Sequence, residues 1–280
     1  MTSSSETSSL TPYQFLKYGV YVALLANVFL FLVEEIDSAG AMNASVIGVA
    51  SFFQIFSTTI DTAAWLALLI FFELETYVLS DNTLRGRTGR LIHIVRALCL
   101  VTISIACWGY FAEFAGLLGV SSVNASTCGA IDSSWSVLIN LDRFESLTID
   151  PCLTGDWVAL TNYERVIASP ESYQRAVVLA AVDFINSAAW ILVVVVLELE
   201  VRSVLASSDR TFLGQAVIRP TKAFLYLVLF MAAVYWGFED DFLDFWDAAL
   251  WLFAFFVIER NVASWRQETA ADEITSVAKN

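Results

Sequence analysis

Long apolar stretches of the chain are interrupted by polar residues at a fixed spacing. Asp61 is followed after four residues by Trp65 and after eight more by Glu73. The same spacing recurs with Asn186, Trp190 and Glu198, and again with Asp247, Trp251 and Glu259. A pattern repeated in this way predicts a repeated structural unit. Alanine pairs stand beside each tryptophan, and because small residues let helices approach closely, we expect these three helix faces to pack inward.

A second pattern alternates with the first and pairs a cation with a glutamate 17 residues later. The pairs are Lys17 and Glu34, Arg96 and Glu113, and Lys222 and Glu239. Seventeen residues of α-helix rise about 26 Å, which is close to the thickness of a bilayer core. Each pair therefore predicts the two ends of a membrane-crossing helix. The segment from Ser45 to Leu79 is apolar for longer and predicts a single extended helix, with Asp61 well inside it.

Together the two patterns predict an all-α polytopic membrane protein with six transmembrane helices arranged as three pseudo-repeated hairpins. The predicted hairpins cover about 13–79, 92–204 and 220–266, and a long outer loop at about 116–170 forms a cap between helices 3 and 4. Residues 1–12 predict a disordered cytoplasmic tail and residues 267–280 a second cytoplasmic tail. The composition agrees, because 58% of residues are hydrophobic and only 16% are charged, against about 25% charged in soluble domains.

The positions of the cations predict how the helices are oriented. With the first helix entering from the cytoplasm, the inner segments hold 12 of the 15 Lys and Arg residues. They are Lys17, Arg85, Arg87, Arg90, Arg96, Arg202, Arg210, Arg219, Lys222, Arg260, Arg266 and Lys279. The positive-inside rule then places both termini in the cytoplasm, for a protein of the cell membrane or an inner membrane. The outer face is left acidic in a chain of net charge −14, which excludes nucleic acid as an expected partner.

The four cysteines fall into two groups. Cys128 and Cys152 flank the middle of the outer loop, and on the oxidising side of a membrane they predict a disulfide, with two free thiols as the alternative. Cys99 and Cys107 lie in an apolar helix, where a thiol usually behaves as a small hydrophobe.

Acidic residues within the apolar segments are the candidates for function, because carboxylates inside a membrane bundle are costly to keep there. The candidates for an ion pathway are Asp61, Glu73, Glu198, Asp247, Glu259 and Asp183. A structural alternative is that the inner glutamates pair with Lys17, Arg96 and Lys222, and that an aspartate near a helix start is stabilised by the helix dipole. Since Asn186 replaces the acid in the second repeat, a symmetric ring of three carboxylates is not expected.

These observations favour a small channel or transporter for a cation or protons that uses intramembrane carboxylates. The alternative is a non-transporting membrane scaffold or accessory subunit whose repeated acids form structural ion pairs. A lipid-modifying enzyme is a third, less favoured possibility. The single histidine, His93, and the absence of HExxH, P-loop and GxSxG motifs predict no enzyme active site, metal centre or cofactor. Expected partners are the lipid bilayer, further copies of the chain or a larger membrane complex.

Overall fold

The protein is mostly helical. The computed structural model describes residues 12–41, 52–53, 55–74, 86–124, 129, 131–132, 134–141, 143–147, 156–205, 211–239 and 242–256. Its helices are α1 (Pro12–Ala41), α2 (Ser57–Glu73), α3 (Arg87–Leu117), α4 (Pro170–Leu205) and α5 (Thr211–Phe238). Residues 242–256 form a further helix, α6.

Four of the described helices are long and apolar enough to cross a membrane. The qualifying stretches are Gln14–Gly40, Arg87–Leu117, Pro170–Leu199 and Ala216–Phe238. Large apolar side chains such as Phe29, Leu98 and Phe224 are exposed on these helices, as expected for surfaces that face lipid. Exposed hydroxyl groups on these helices form hydrogen bonds within their own helix; for example, Ser104 Oγ donates to the Leu100 carbonyl at 2.9 Å. These features support an integral membrane protein, whereas six crossings and the threefold repeat stay predictions.

The helix predicted from Ser45 to Leu79 is interrupted at Phe56, and helix α2 covers Ser57–Glu73. The backbone of Phe56 (φ −108°, ψ 31°) leaves the helical region and interrupts the preceding helical residues. Residues 42–51, 54 and 75–79 lie outside the described part of the chain. Asp61 is therefore near the start of a helix and not deep inside a long one.

The predicted all-α class is incomplete, because the segment expected to be a cap loop folds in part as a β-sheet. Its strands are β1 (Val120–Ser122), β2 (Ser136–Asn140), β3 (Arg143–Ser146), β4 (Val158–Leu160) and β5 (Val166–Ala168). They lie in the order β1-β4-β5-β2-β3, and all neighbours are antiparallel except β2 and β5. Leu138 and Ile167 are fully buried, and β2 and β5 contact α4. The sheet therefore sits at the end where α3 finishes and α4 begins.

The turn between β4 and β5 closes the end of α3. Asn162 Nδ2 donates to the Gly116 carbonyl at 2.9 Å, and the Thr161 N–H donates to the Gly119 carbonyl at 2.9 Å. The Tyr173 hydroxyl, from the first turn of α4, donates to the Leu117 carbonyl at 3.1 Å. Carbonyls in the last turn of a helix have no partner within the helix, so these bonds satisfy them and fasten the sheet to α3.

The chain divides into two compact units, Asn27–Ala232 and Met1–Ala26 with Ala233–Asn280. In the first unit, α2 packs along α3, and α3 packs along α4. In the second unit, the ring of Trp251 lies 6.3 Å from that of Phe255, measured between centroids, and Trp251 is buried.

We predict that Gly119→Ala destabilises the protein by about 0.5–1.5 kcal/mol, the usual net contribution of one hydrogen bond. A β-carbon at Gly119 would overlap Asn162 Nδ2 and lie 2.6 Å from Thr161 Oγ1, and these exposed side-chain ends move away at the cost of the Asn162 bond to Gly116. Thermal unfolding in detergent measures the loss. The control is Gly129→Ala, where a β-carbon meets no described atom within 4 Å. Equal stability of the two variants would contradict the prediction.

Candidate functional site

The carboxylate of Glu35, near the end of α1, caps the start of α2. Its Oε1 accepts from the Thr58 N–H at 2.8 Å and from the Thr59 N–H at 3.3 Å, and its Oε2 accepts from the Thr59 N–H at 3.3 Å. The first N–H groups of a helix lack partners within the helix and form the positive end of its dipole, so a carboxylate there is stabilised twice. Glu35 thereby fixes the start of α2 against α1.

The side chain of Tyr110, on α3, is only 8% exposed and lies within electrostatic range of carboxylates from three helices. They are Asp61 on α2, Glu35 on α1 and Asp183 on α4, and all three are partly buried. The Tyr110 hydroxyl also lies beside Thr58. A tyrosine hydroxyl can both donate and accept a hydrogen bond.

Glu113 lies one turn beyond Tyr110 on α3, toward the sheet, and is close enough to Glu35 for their charges to interact. We refer to Glu35, Asp61, Glu113 and Asp183 around Tyr110 as the acidic cluster. Each of its carboxylates comes from a different helix. In the low dielectric of a helix bundle such a set of like charges favours the uptake of protons or cations.

Tyr163, in the turn between β4 and β5, covers the sheet-side end of the acidic cluster. Its ring lies over Gly116, and its hydroxyl oxygen is buried without a hydrogen bond to any described residue. Burial of the hydroxyl, and then the negative charge of Glu113, raise the pKa of Tyr163 well above its ordinary value of 10.0. The side chain therefore stays neutral at physiological pH.

Trp65 and Trp190 are in contact on the side of the cluster away from the sheet. Their ring centroids are 6.2 Å apart with an interplanar angle of 57°, and each side chain is 7% exposed. We refer to these residues as the tryptophan pair. Asp61 lies one turn before Trp65, and Asn186 lies one turn before Trp190. The contact agrees with the expectation that the repeated tryptophans face inward.

The predicted acids of the inner end lie apart from this cluster. Glu73 is the last residue of α2, about 18 Å along the helix from Asp61. Glu198 is exposed on α4, and Glu259 lies outside the described residues. Asp247 is partly buried on α6, in the other compact unit.

The remaining predicted residues are placed but not given a role by the structure. Lys17, Arg96, Lys222, Glu34 and Glu239 are partly buried, and their pairing across hairpins stays a prediction. Cys128 and Cys152 lie outside the described residues. The described cysteines, Cys99 and Cys107, are free thiols.

Sequence reasoning missed Glu35, Thr58, Tyr110 and Tyr163. The one available signal for the cap was the polar run Ser57-Thr58-Thr59 before an apolar stretch, which is typical of a helix start. Tyr110 gave no signal, because tyrosines are common near the ends of membrane helices.

Within the described residues, no group of three or more His, Cys, Asp or Glu side chains is arranged to hold a metal ion. No protein-family model, curated protein or solved structure matches the chain.

We predict that Glu35→Ala destabilises the protein by about 1–2 kcal/mol, the cost of losing a helix cap, and that Glu35→Gln costs less. Glutamine keeps an acceptor oxygen for the Thr58 and Thr59 N–H groups but loses the charge that interacts with the helix dipole. Thermal unfolding in detergent measures both changes. Asp37→Asn, at an exposed position on the same helix, is the control and should leave stability unchanged. An equal effect of Glu35→Ala and Asp37→Asn would show that the cap is unimportant.

We predict that Tyr163→Phe leaves stability at neutral pH unchanged or raises it by up to about 1 kcal/mol, because it removes a buried hydroxyl that has no partner. Because the pKa of Tyr163 is higher in the folded protein than its unfolded value of 10.0, this difference adds to the free energy of unfolding. The added stability is fully present below pH 10.0 and is lost as the pH rises further. The variant should therefore lose less stability in alkali than the wild type. Unfolding temperature against pH measures this, with exposed Tyr18→Phe as the control. Destabilisation of Tyr163→Phe at neutral pH would contradict the prediction.

Proposed function

We propose that the protein is a six-helix membrane channel or transporter that moves a cation or protons through the acidic cluster. The observation that carries this proposal is that Glu35, Asp61 and Asp183, from three helices, lie within electrostatic range of the buried side chain of Tyr110. Carboxylates within membrane helices are costly and characteristically belong to ion or proton pathways. Hydrophobic residues would pack the same helices together at lower cost.

In this proposal α2 and α6 cross the membrane together with the four longer helices. The 17 residues of α2 reach about 26 Å, enough to cross most of the hydrocarbon core. The distribution of Lys and Arg places both termini in the cytoplasm, and the sheet then lies outside. The acidic cluster would be reached from the outer side, beneath the turn that carries Tyr163. An acidic outer surface would concentrate cations at that entrance.

The second candidate is a membrane scaffold or accessory subunit, which the role of Glu35 favours. Both oxygens of this carboxylate accept hydrogen bonds from the backbone of α2, which is a structural use of an acid within a helix bundle. The proposed transport therefore depends more on Asp61, Glu113 and Asp183 than on Glu35. Substitution of Asp61 distinguishes the two candidates, because it removes a charge without removing the cap.

We predict that Asp61→Asn lowers cation or proton flux in proteoliposomes by about tenfold or more, which corresponds to about 1.4 kcal/mol. The residue at the equivalent repeat position is Asn186, so an asparagine should be tolerated there and folding should be retained. Flux is measured with internal pH-sensitive and alkali-metal-sensitive dyes. Asp37→Asn, at an exposed position on α1, is the control and should keep the wild-type rate. A folded wild-type protein with no flux of any tested cation would favour the scaffold.

A further inference from the structure

A layer of polar side chains lies directly on the sheet side of the tryptophan pair. Cys107 on α3 is next to both Asp61 on α2 and Ser187 on α4, and Asn186 precedes Ser187 in the chain. Because Asp61 and Asn186 each precede a member of the tryptophan pair by one turn, the four residues lie at similar depth. We refer to Asp61, Cys107, Asn186 and Ser187 as the polar layer.

Two oxygen atoms of the polar layer are buried without a hydrogen bond to any described residue. Ser187 is 2% exposed, and although the Cys107 thiol is beside it, Ser187 Oγ makes no hydrogen bond of acceptable geometry. Asn186 Oδ1 is likewise buried without a hydrogen bond to any described residue. Leaving such an atom without a partner costs about 1–3 kcal/mol. Native proteins usually satisfy buried polar groups of this kind with ordered water.

We propose that internal water molecules bind in the polar layer between Asn186, Ser187 and Asp61, and that the species taken up by the acidic cluster is the proton. The water site stands on the polar layer alone, whereas the assignment to the proton rests on the proposed function. A buried water needs two to four polar partners, and a hydroxyl, an amide and a carboxylate supply them here. The water would extend the polar contacts of Tyr110 and the cluster inward as far as the tryptophan pair.

The geometry favours a proton over a metal or hydrated alkali cation. Metal cations need several ligands converging on one point, and the described residues offer no such group of acids, histidines or cysteines. A proton needs only a succession of groups that donate and accept, such as Tyr110, water and the carboxylates. We expect the tryptophan pair, at 6.2 Å between centroids and almost fully buried, to exclude a hydrated ion at the inner edge of the layer.

Infrared spectroscopy of the native Cys107 thiol tests for the water. The S–H stretch is followed after transfer of proteoliposomes into D2O, and the band is assigned with Cys107→Ala. We expect Cys107 to exchange its proton in the wild type, and Asn186→Leu to slow this exchange by about tenfold or more, because local exchange depends on access to solvent. Leucine is close to asparagine in size but offers no polar atom to water. Ser187→Ala serves if Asn186→Leu does not fold, and it should slow exchange in the same direction.

Two controls separate a local effect from a general one. Ser104→Ala removes a hydroxyl from the exposed face of α3 that bonds only within its own helix turn, and it should not change Cys107 exchange. Cys99, eight residues earlier on α3, supplies a second thiol whose exchange should be the same in all variants. Absence of Cys107 exchange in the wild type, or exchange that is unchanged in both Asn186→Leu and Ser187→Ala, would overturn the proposed water site.

Flux assays on the same vesicles separate this inference from the proposed function. Proton flux that is lost in Asn186→Leu, without flux of alkali cations, is the result expected for both. Flux of alkali cations through the wild type would overturn the assignment to the proton while leaving the transport proposal intact. Thiol exchange that follows the prediction without any flux would support the water site and reject the transport proposal.

Discussion

The hydrogen bonds from the Thr58 and Thr59 N–H groups to Glu35 fix the first turn of α2 against α1. A carboxylate within a helix bundle is stable only if its charge is compensated, and the free N–H groups at the start of a helix compensate it well. The bond therefore fixes where α2 begins, four residues before Asp61 and eight before Trp65. The depth of the acid and of the tryptophan is determined by a residue on another helix.

The sheet imposes a matching constraint from the other side. The β4–β5 turn brings the Asn162 side chain to the Gly116 carbonyl, in the last turn of α3, and places the Tyr163 ring over Gly116. Both contacts cover the end of α3 next to Glu113. Tyr163 contributes no charge there, because burial and the nearby glutamate keep its hydroxyl neutral. The acidic cluster therefore lies between the uncharged side chain of Tyr163 and the tryptophan pair. Partial burial in the helix bundle lowers the local dielectric constant and strengthens the electrostatic interactions of its carboxylates.

Periodicity in the sequence predicted the helices and the inward position of the tryptophans, because both follow from local hydrophobic spacing. It could not predict the sheet, whose strands are only three to five residues long and whose β2–β5 pair joins segments about 30 residues apart. It also could not predict the cap, since Glu35 and Thr58 are 23 residues apart and the bond uses backbone groups that every residue has. The interruption at Phe56 comes directly before the polar run Ser57-Thr58-Thr59, in which the N–H groups of Thr58 and Thr59 bond to Glu35.

The predicted repeat has an aspartate at position 61 and an asparagine at position 186. Asp61 and Asn186 each precede a member of the tryptophan pair by one turn, and both belong to the polar layer. Two carboxylates at these positions would place like charges close together in a medium of low dielectric constant, where their repulsion is strong. Asparagine keeps the donors and acceptors of the layer without the second charge. Asparagine at position 186 therefore leaves Asp61 as the one carboxylate of the polar layer.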